Sequence, residues 1–261
     1  MEQVSGETVE RDGTDLWFER RGNGPQHLLF AHGWIGSRRM WDATIAKLDL
    51  ARYTVYRFDA RGCGRSDRPV DGHTLEGYAA DYEAILARIA APVTVVAHSM
   101  GGRIAQYLAA RAHPKIGRML LVAPGSARGS RGNGRHRELT LEAFGSRRRI
   151  ARFVSAAMRR SVDEATRDIL VDDALIASRE HWFGWYDAGR ALDFRDALAH
   201  IAVPTLVLAG ASDPLATLPR LRTECADLIA GSIFVVLRDC GHNIPIEAPG
   251  ELAGAIDRFV A

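Results

Sequence analysis

The chain has 261 residues, with 34 Lys and Arg against 32 Asp and Glu, a formal net charge of +2, and 47% hydrophobic residues. That balance shows no overall bias toward nucleic acid or membrane, and no stretch approaches the roughly 18 consecutive apolar residues of a membrane-spanning helix. Three cysteines, Cys63, Cys225 and Cys240, are too few for a disulfide framework, and the N-terminal stretch is acidic and polar; a cytoplasmic enzyme in one α/β domain is the expectation.

Residues 7–20 read as a hairpin turning at Asp12-Gly13, with Leu16 and Phe18 in alternation. An apolar strand over 27–31 stops at His32-Gly33-Trp34, where glycine permits close backbone approach. A helix over 41–48, a strand over 53–58 and a helix over 75–89 follow. The buried strand over 93–97 then runs into His98-Ser99-Met100-Gly101-Gly102 and a helix over 102–112. Small residues at Ala97 and Gly101 flank Ser99, as a tight strand-to-helix turn that projects a serine hydroxyl requires. Further strands are expected over 118–122, 205–209 and 233–237, with a last helix over 251–260. The alternation predicts a mostly parallel sheet covered on both faces, broken only where helical stretches fill residues 125–195.

A serine hydroxyl is a weak nucleophile at neutral pH, so Ser99 calls for a base, an orienting acid and an oxyanion site. His242 follows the strand over 233–237, and Asp213 ends the run that begins at Thr205. The chain order is therefore Ser, Asp, His. The amides of Trp34 and Met100 are the candidate oxyanion donors. Asp239 is a poorer orienting acid, being only three residues from His242 on the same loop. His98 is expected to point away from Ser99 by strand alternation, and His32 to fix the loop around Trp34. Asp59 and Arg61 are expected to shape a turn and Glu247 to cap or brace the final helix, while Cys240 reads as a small half-buried residue rather than a thiol nucleophile. No Cys/His cluster has metal-ligand spacing, and no cofactor is called for.

At these residues the chain resembles the α/β-hydrolase superfamily, in its serine-nucleophile esterase, lactonase and haloperoxidase-like branch. The resemblance extends to Asp59-Ala60-Arg61-Gly62-Cys63-Gly64-Arg65-Ser66, to Ala202-Val203-Pro204-Thr205 and to His242-Asn243-Ile244-Pro245-Ile246-Glu247-Ala248-Pro249. It implies an α/β-hydrolase core over 1–124 and 196–261 and a helical cap over 125–195. Ala97 replaces the family's usual glycine and keeps the steric requirement. Ser99 departs from the aspartate nucleophile of haloalkane dehalogenases and epoxide hydrolases, and Asn243 from the tryptophan usual in carbon–carbon bond hydrolases.

Two features of the 125–195 segment bear on substrate choice. Residues 128–160 hold ten arginines against Glu138 and Glu142, either a solvated face paired with the acids that follow or an anion site. Trp182, Phe183, Trp185 and Tyr186 form an aromatic cluster that serves either as core or as a substrate wall. The expected function is hydrolysis of a small-molecule ester or lactone through an acyl-enzyme. A thioesterase, a cofactor-free perhydrolase and a non-catalytic ligand receptor on the same scaffold are the alternatives.

Overall fold

The computed structural model describes residues 5–130 and 135–261. Eight strands form one sheet in the order β1-β2-β4-β3-β5-β6-β7-β8. They are β1 (Ser5–Arg11), β2 (Thr14–Arg21), β3 (Gln26–Ala31), β4 (Tyr53–Phe58), β5 (Val93–His98), β6 (Ile116–Val122), β7 (Thr205–Gly210) and β8 (Ile233–Leu237). The β1–β2 hairpin turns at Asp12 and Gly13, both at positive φ, and joins β4 antiparallel; the other neighbours are parallel.

The helices are α1 (Asp42–Ile45), α2 (Leu75–Ala87), α3 (Met100–Ala109), α4 (Arg135–Leu141), α5 (Arg147–Ala156), α6 (Glu164–Ile176), α7 (Arg179–Gly184), α8 (Leu218–Glu224), α9 (Ile244–Glu247) and α10 (Pro249–Val260). Among the described residues none is long and apolar enough to cross a membrane.

Strand β4 shows why helices cover both faces. Tyr53 and Phe58 are an odd number of residues apart, so their side chains leave opposite faces of the strand. The Tyr53 hydroxyl donates to Asp257 of α10 at 2.7 Å, while the Phe58 ring meets Tyr82 of α2 edge-on with centroids 4.7 Å apart. Every residue of β4, β5 and β7 is buried, as strands between two helical layers demand, and the one charge among them, Arg57, is paired with Glu19. The edge strand β8 differs: Ile233 and Val236 are exposed, since among the described residues no further strand pairs with that margin.

The helix expected over 41–48 is divided. A 3₁₀ turn, Arg38–Trp41, is capped by the Ser37 hydroxyl, and α1 ends early because Lys47 and Leu48 bond to Thr44 and Ile45 in i→i−3 fashion. Helix α2 is capped by the Thr74 side chain, which accepts from the Gly77 amide at 3.1 Å.

Between β6 and β7 the chain leaves the sheet and builds α4 to α7, followed by a π-helical turn at Trp185–Gly189. Several contacts tie this insert to the sheet-bearing part, among them the following. Buried Asp173 of α6 accepts from the Ser37 hydroxyl at 2.6 Å and from Arg39 at 3.1 Å. The Ser178 amide donates to the Gly62 carbonyl at 2.8 Å. Buried Arg103 of α3 donates to the carbonyls of Ser126 and Leu192, so one guanidinium pins both stems of the insert.

Candidate active site

Ser99 stands at the corner between β5 and α3 with φ 47° and ψ −109°, a conformation that costs a non-glycine residue about 1–3 kcal/mol. Its neighbours over-determine it. The Ser99 amide donates to Val122 at 3.1 Å, and its carbonyl accepts from Gly125 at 2.8 Å and Arg103 at 3.1 Å. A Cβ on Gly101 would lie 2.7 Å from the Ala31 carbonyl, so the helix can start against β3 only with glycine there.

The structure brings Ser99, Asp213 and His242 together. His242 Nε2 lies 3.0 Å from the Ser99 hydroxyl, and Nδ1 lies 2.7 Å from Asp213 Oδ2. Asp213 Oδ1 accepts the amides of Leu215 at 2.7 Å and Ala216 at 2.9 Å. Burial pushes the Asp213 carboxyl up, but His242 and these amides outweigh it and hold the group below the ordinary carboxylate range. The carboxylate therefore accepts from Nδ1–H, leaving Nε2 with a lone pair directed at the Ser99 hydroxyl.

Glu247 shapes the histidine loop. Its Oε2 accepts from Gly241, Arg159 and Arg160, and its Oε1 accepts from Asn243, all between 2.7 and 3.0 Å. The expectation that Glu247 caps or braces the final helix is thus corrected: it holds the amides on either side of His242 and ties them to the chain just after α5, and α10 has no side-chain cap. The His242 amide completes the link by donating to the Ala157 carbonyl at 2.7 Å.

His98 also departs from expectation. Its ring lies 4.9 Å from that of His242, its Nε2 donates to the His242 carbonyl at 2.9 Å, and it lines the same cavity as Ser99. Alternation fails there because Ser99 is not extended, so the two-residue period ends at His98. Burial, reinforced by His242, lowers the His98 pKa to about 3, so the ring is neutral.

The backbone at Gly33 and Trp34 is fixed by His32. Its Nε2 accepts from the Ala60 amide at 2.9 Å, so Nδ1 carries the proton and donates to the Gly33 carbonyl at 2.7 Å. Because a trans peptide directs its C=O and N–H oppositely, anchoring that carbonyl turns the Trp34 N–H the other way. Gly33, Trp34, Ser99 and Met100 border one cavity. A Cβ on Gly33 would approach His98 Nδ1 to 2.6 Å, which requires glycine there.

The cavity, about 360 Å³, reaches from Ser99 and His242 to the insert, where Phe153, Leu170, Trp185 and Tyr186 line it. Trp182 and Phe183 are not part of the wall. Trp182 is fully buried behind Trp34, whose ring stands 4.9 Å from Trp182 and 4.7 Å from Tyr186, while Phe183 packs on Phe144 at 5.8 Å. The π-helical turn holds the two lining aromatics, and a wider turn of this kind shifts the side-chain period that a sequence reading assumes.

The arginines of α5 stand outside the cavity. Arg147 pairs with Asp168 and Asp172, and Arg149 with Glu142. Beyond them, Arg160 pairs with Glu251 and Arg128 with Glu224. Most of the neutralising acids lie outside the 128–160 window, so its local charge overstates the field; Arg131, Arg135 and Arg137 lie outside the described side chains. Asp59 and Arg61 are structural: Asp59 accepts from the Arg38 and Arg65 amides, and Arg61 pairs with buried Asp81. Cys240 is a packing residue, fully buried rather than half-buried as expected, with its thiol pushed up to about 12 by burial.

Sheet order, the corner serine and the chain order of the three polar residues define an α/β-hydrolase, and residues 28–255 match the model of the alpha/beta hydrolase family. The chain belongs to that family. It is 28% identical to a non-heme chloroperoxidase of Streptomyces lividans over 98% of this chain and 99% of that protein. Among solved structures it resembles the enol-lactonase from Burkholderia xenovorans LB400, with TM-score 0.85 and 26% identity over 97% of this chain and 99% of the other. An esterase from Exiguobacterium antarcticum shares the fold with TM-score 0.89 at 23% identity, covering 98% of this chain and 99% of that one.

Proposed function

We propose that this protein is a serine hydrolase that cleaves a carboxylic ester or lactone through an acyl-enzyme. The observation that carries the reading is the unbroken relay from Asp213 through His242 to Ser99 at the floor of a cavity. His242 Nε2 takes the hydroxyl proton as Ser99 Oγ adds to the ester carbonyl, and Asp213 stabilises the imidazolium that forms. The Trp34 and Met100 amides hold the carbonyl oxygen as it becomes negative. Collapse expels the alcohol, which takes the proton from His242. Water, deprotonated by the same nitrogen, then adds to the acyl-enzyme and releases the acid and the free serine. In this reading residues 125–195 act as a cap over the core formed by 1–124 and 196–261, and the protein works in the cytoplasm on a small molecule.

Ser99→Ala tests it. The variant should fold and lose ester hydrolysis by about a millionfold, together with covalent labelling by a fluorophosphonate. Retained turnover or labelling would refute the assignment. Likeness to a protein named as a chloroperoxidase favours a second reading, in which hydrogen peroxide replaces water at the acyl-enzyme and yields a peracid. Halide oxidation that needs both peroxide and a short carboxylic acid, and is lost in Ser99→Ala, would identify it.

A further inference from the structure

The same cavity holds a second cluster, at its end between α3, the stems of the insert and α8. Arg103, Arg128, Arg190 and Arg220 line it together with a single carboxylate, Glu224. These groups are not equivalent. Arg103 spends its terminal nitrogens on backbone carbonyls and is structural. Arg220 and Arg128 share Glu224, at 2.7 Å and 3.5 Å. Arg190 lies over the Tyr186 ring at 4.7 Å and hydrogen-bonds that side chain, and among the described residues no carboxylate pairs with it. Burial and the neighbouring Arg220 depress its pKa, and burial with Arg190 lowers that of Arg103 to about 10. A partly buried cation facing like charges calls for a counter-anion, and the one carboxylate here is already shared by two other arginines.

We propose that Arg190, supported by Arg220, binds a carboxylate borne by the substrate, so that the preferred substrate is a monoanionic ester or lactone. The proposal rests on the ester-hydrolase reading of Ser99. A planar guanidinium matches a carboxylate through two parallel hydrogen bonds, and in a site shielded from water that pairing outweighs its surface equivalent. With four arginines to one carboxylate the cluster keeps an excess of positive charge, which a carboxylate on the substrate would reduce. The cavity, about 360 Å³, sits at the small end of ligand sites and suits a short chain between the carboxylate and the scissile carbonyl. This source of anion selectivity is separate from Arg147 and Arg149, whose charges are matched on the surface.

The test compares the p-nitrophenyl monoester of glutarate with p-nitrophenyl pentanoate, which have the same acyl chain length and differ in a terminal carboxylate. The wild-type ratio of kcat/KM, anionic over neutral, should exceed about ten, and it should fall at least tenfold in Arg190→Gln and several-fold in Arg220→Gln. Calorimetry of monomethyl glutarate with Ser99→Ala should show binding that weakens at least tenfold when Arg190→Gln is added. A wild-type ratio near one, or a ratio unchanged in both arginine variants, would overturn the proposal. If Arg190→Gln fails to fold, the half-exposed Arg220 decides the matter through its own variant. Should no ester be turned over while the Ser99→Ala protein still binds the monoester through Arg190, the hydrolase reading fails and the anion site stands.

Discussion

Replacing Asp213 by Asn should do more harm than deleting its side chain. Oδ1 of Asp213 accepts two amide hydrogens, from Leu215 and Ala216, while Oδ2 accepts the His242 Nδ1 proton. An asparagine must leave its carbonyl oxygen facing the two amides, because an NH2 group there would point hydrogens at hydrogens. Its NH2 then faces His242 and donates to Nδ1, driving the ring proton to Nε2, where it confronts the Ser99 hydroxyl as a donor instead of an acceptor. The expected loss in kcat is about ten-thousandfold, equivalent to about 5.5 kcal/mol of transition-state stabilisation. Asp213→Ala leaves the tautomer free and should retain more activity than Asp213→Asn. The assay is initial-rate and single-turnover hydrolysis of a p-nitrophenyl ester, with the rate of fluorophosphonate labelling as a second readout and thermal unfolding as the control for folding. If Asp213→Asn stayed within tenfold of wild type, or outperformed Asp213→Ala, the tautomer argument would be refuted.

Glu247→Gln should lower kcat by roughly ten- to a hundredfold and stability by about 1–3 kcal/mol, since an NH2 group must replace an oxygen that now receives amide hydrogens; urea denaturation and ester turnover check both. Burial raises the Asp173 pKa to about 6, above its ordinary value of 3.8, so the folded state binds the proton more tightly than the unfolded chain. Its contribution to stability is therefore greatest below about pH 4 and declines as pH rises through about 6. The difference in unfolding free energy between wild type and Asp173→Asn, measured by urea titration, should shift in favour of wild type on going from pH 7 to pH 4.5, and an opposite shift would refute the assignment.

Much of the fold was legible because local signals and global topology agree. Apolar runs bounded by Gly, Pro and Asp marked each parallel strand, and the small residues around Ser99 marked the corner, since steric exclusion there acts between near neighbours in the chain. The candidate relay was legible as an order of residue types, Ser99, Asp213, His242, whose distances only the parallel packing of β5, β6, β7 and β8 supplies. Tertiary structure alone decided what depends on contacts between distant segments. It placed His98 against His242 through the non-extended corner, turned Glu247 into the clamp of the histidine loop, and buried Trp182 behind Trp34 while leaving Trp185 and Tyr186 on the cavity wall. Charge shows the division most clearly: the sequence displays the arginine run along α5, but in the fold Arg147 and Arg149 of that run pair with acids outside the helix. Arg190 and Arg220 stand out only once folding has placed them in one cavity, because the environment of a charge is set by what surrounds it in space rather than by its neighbours along the chain.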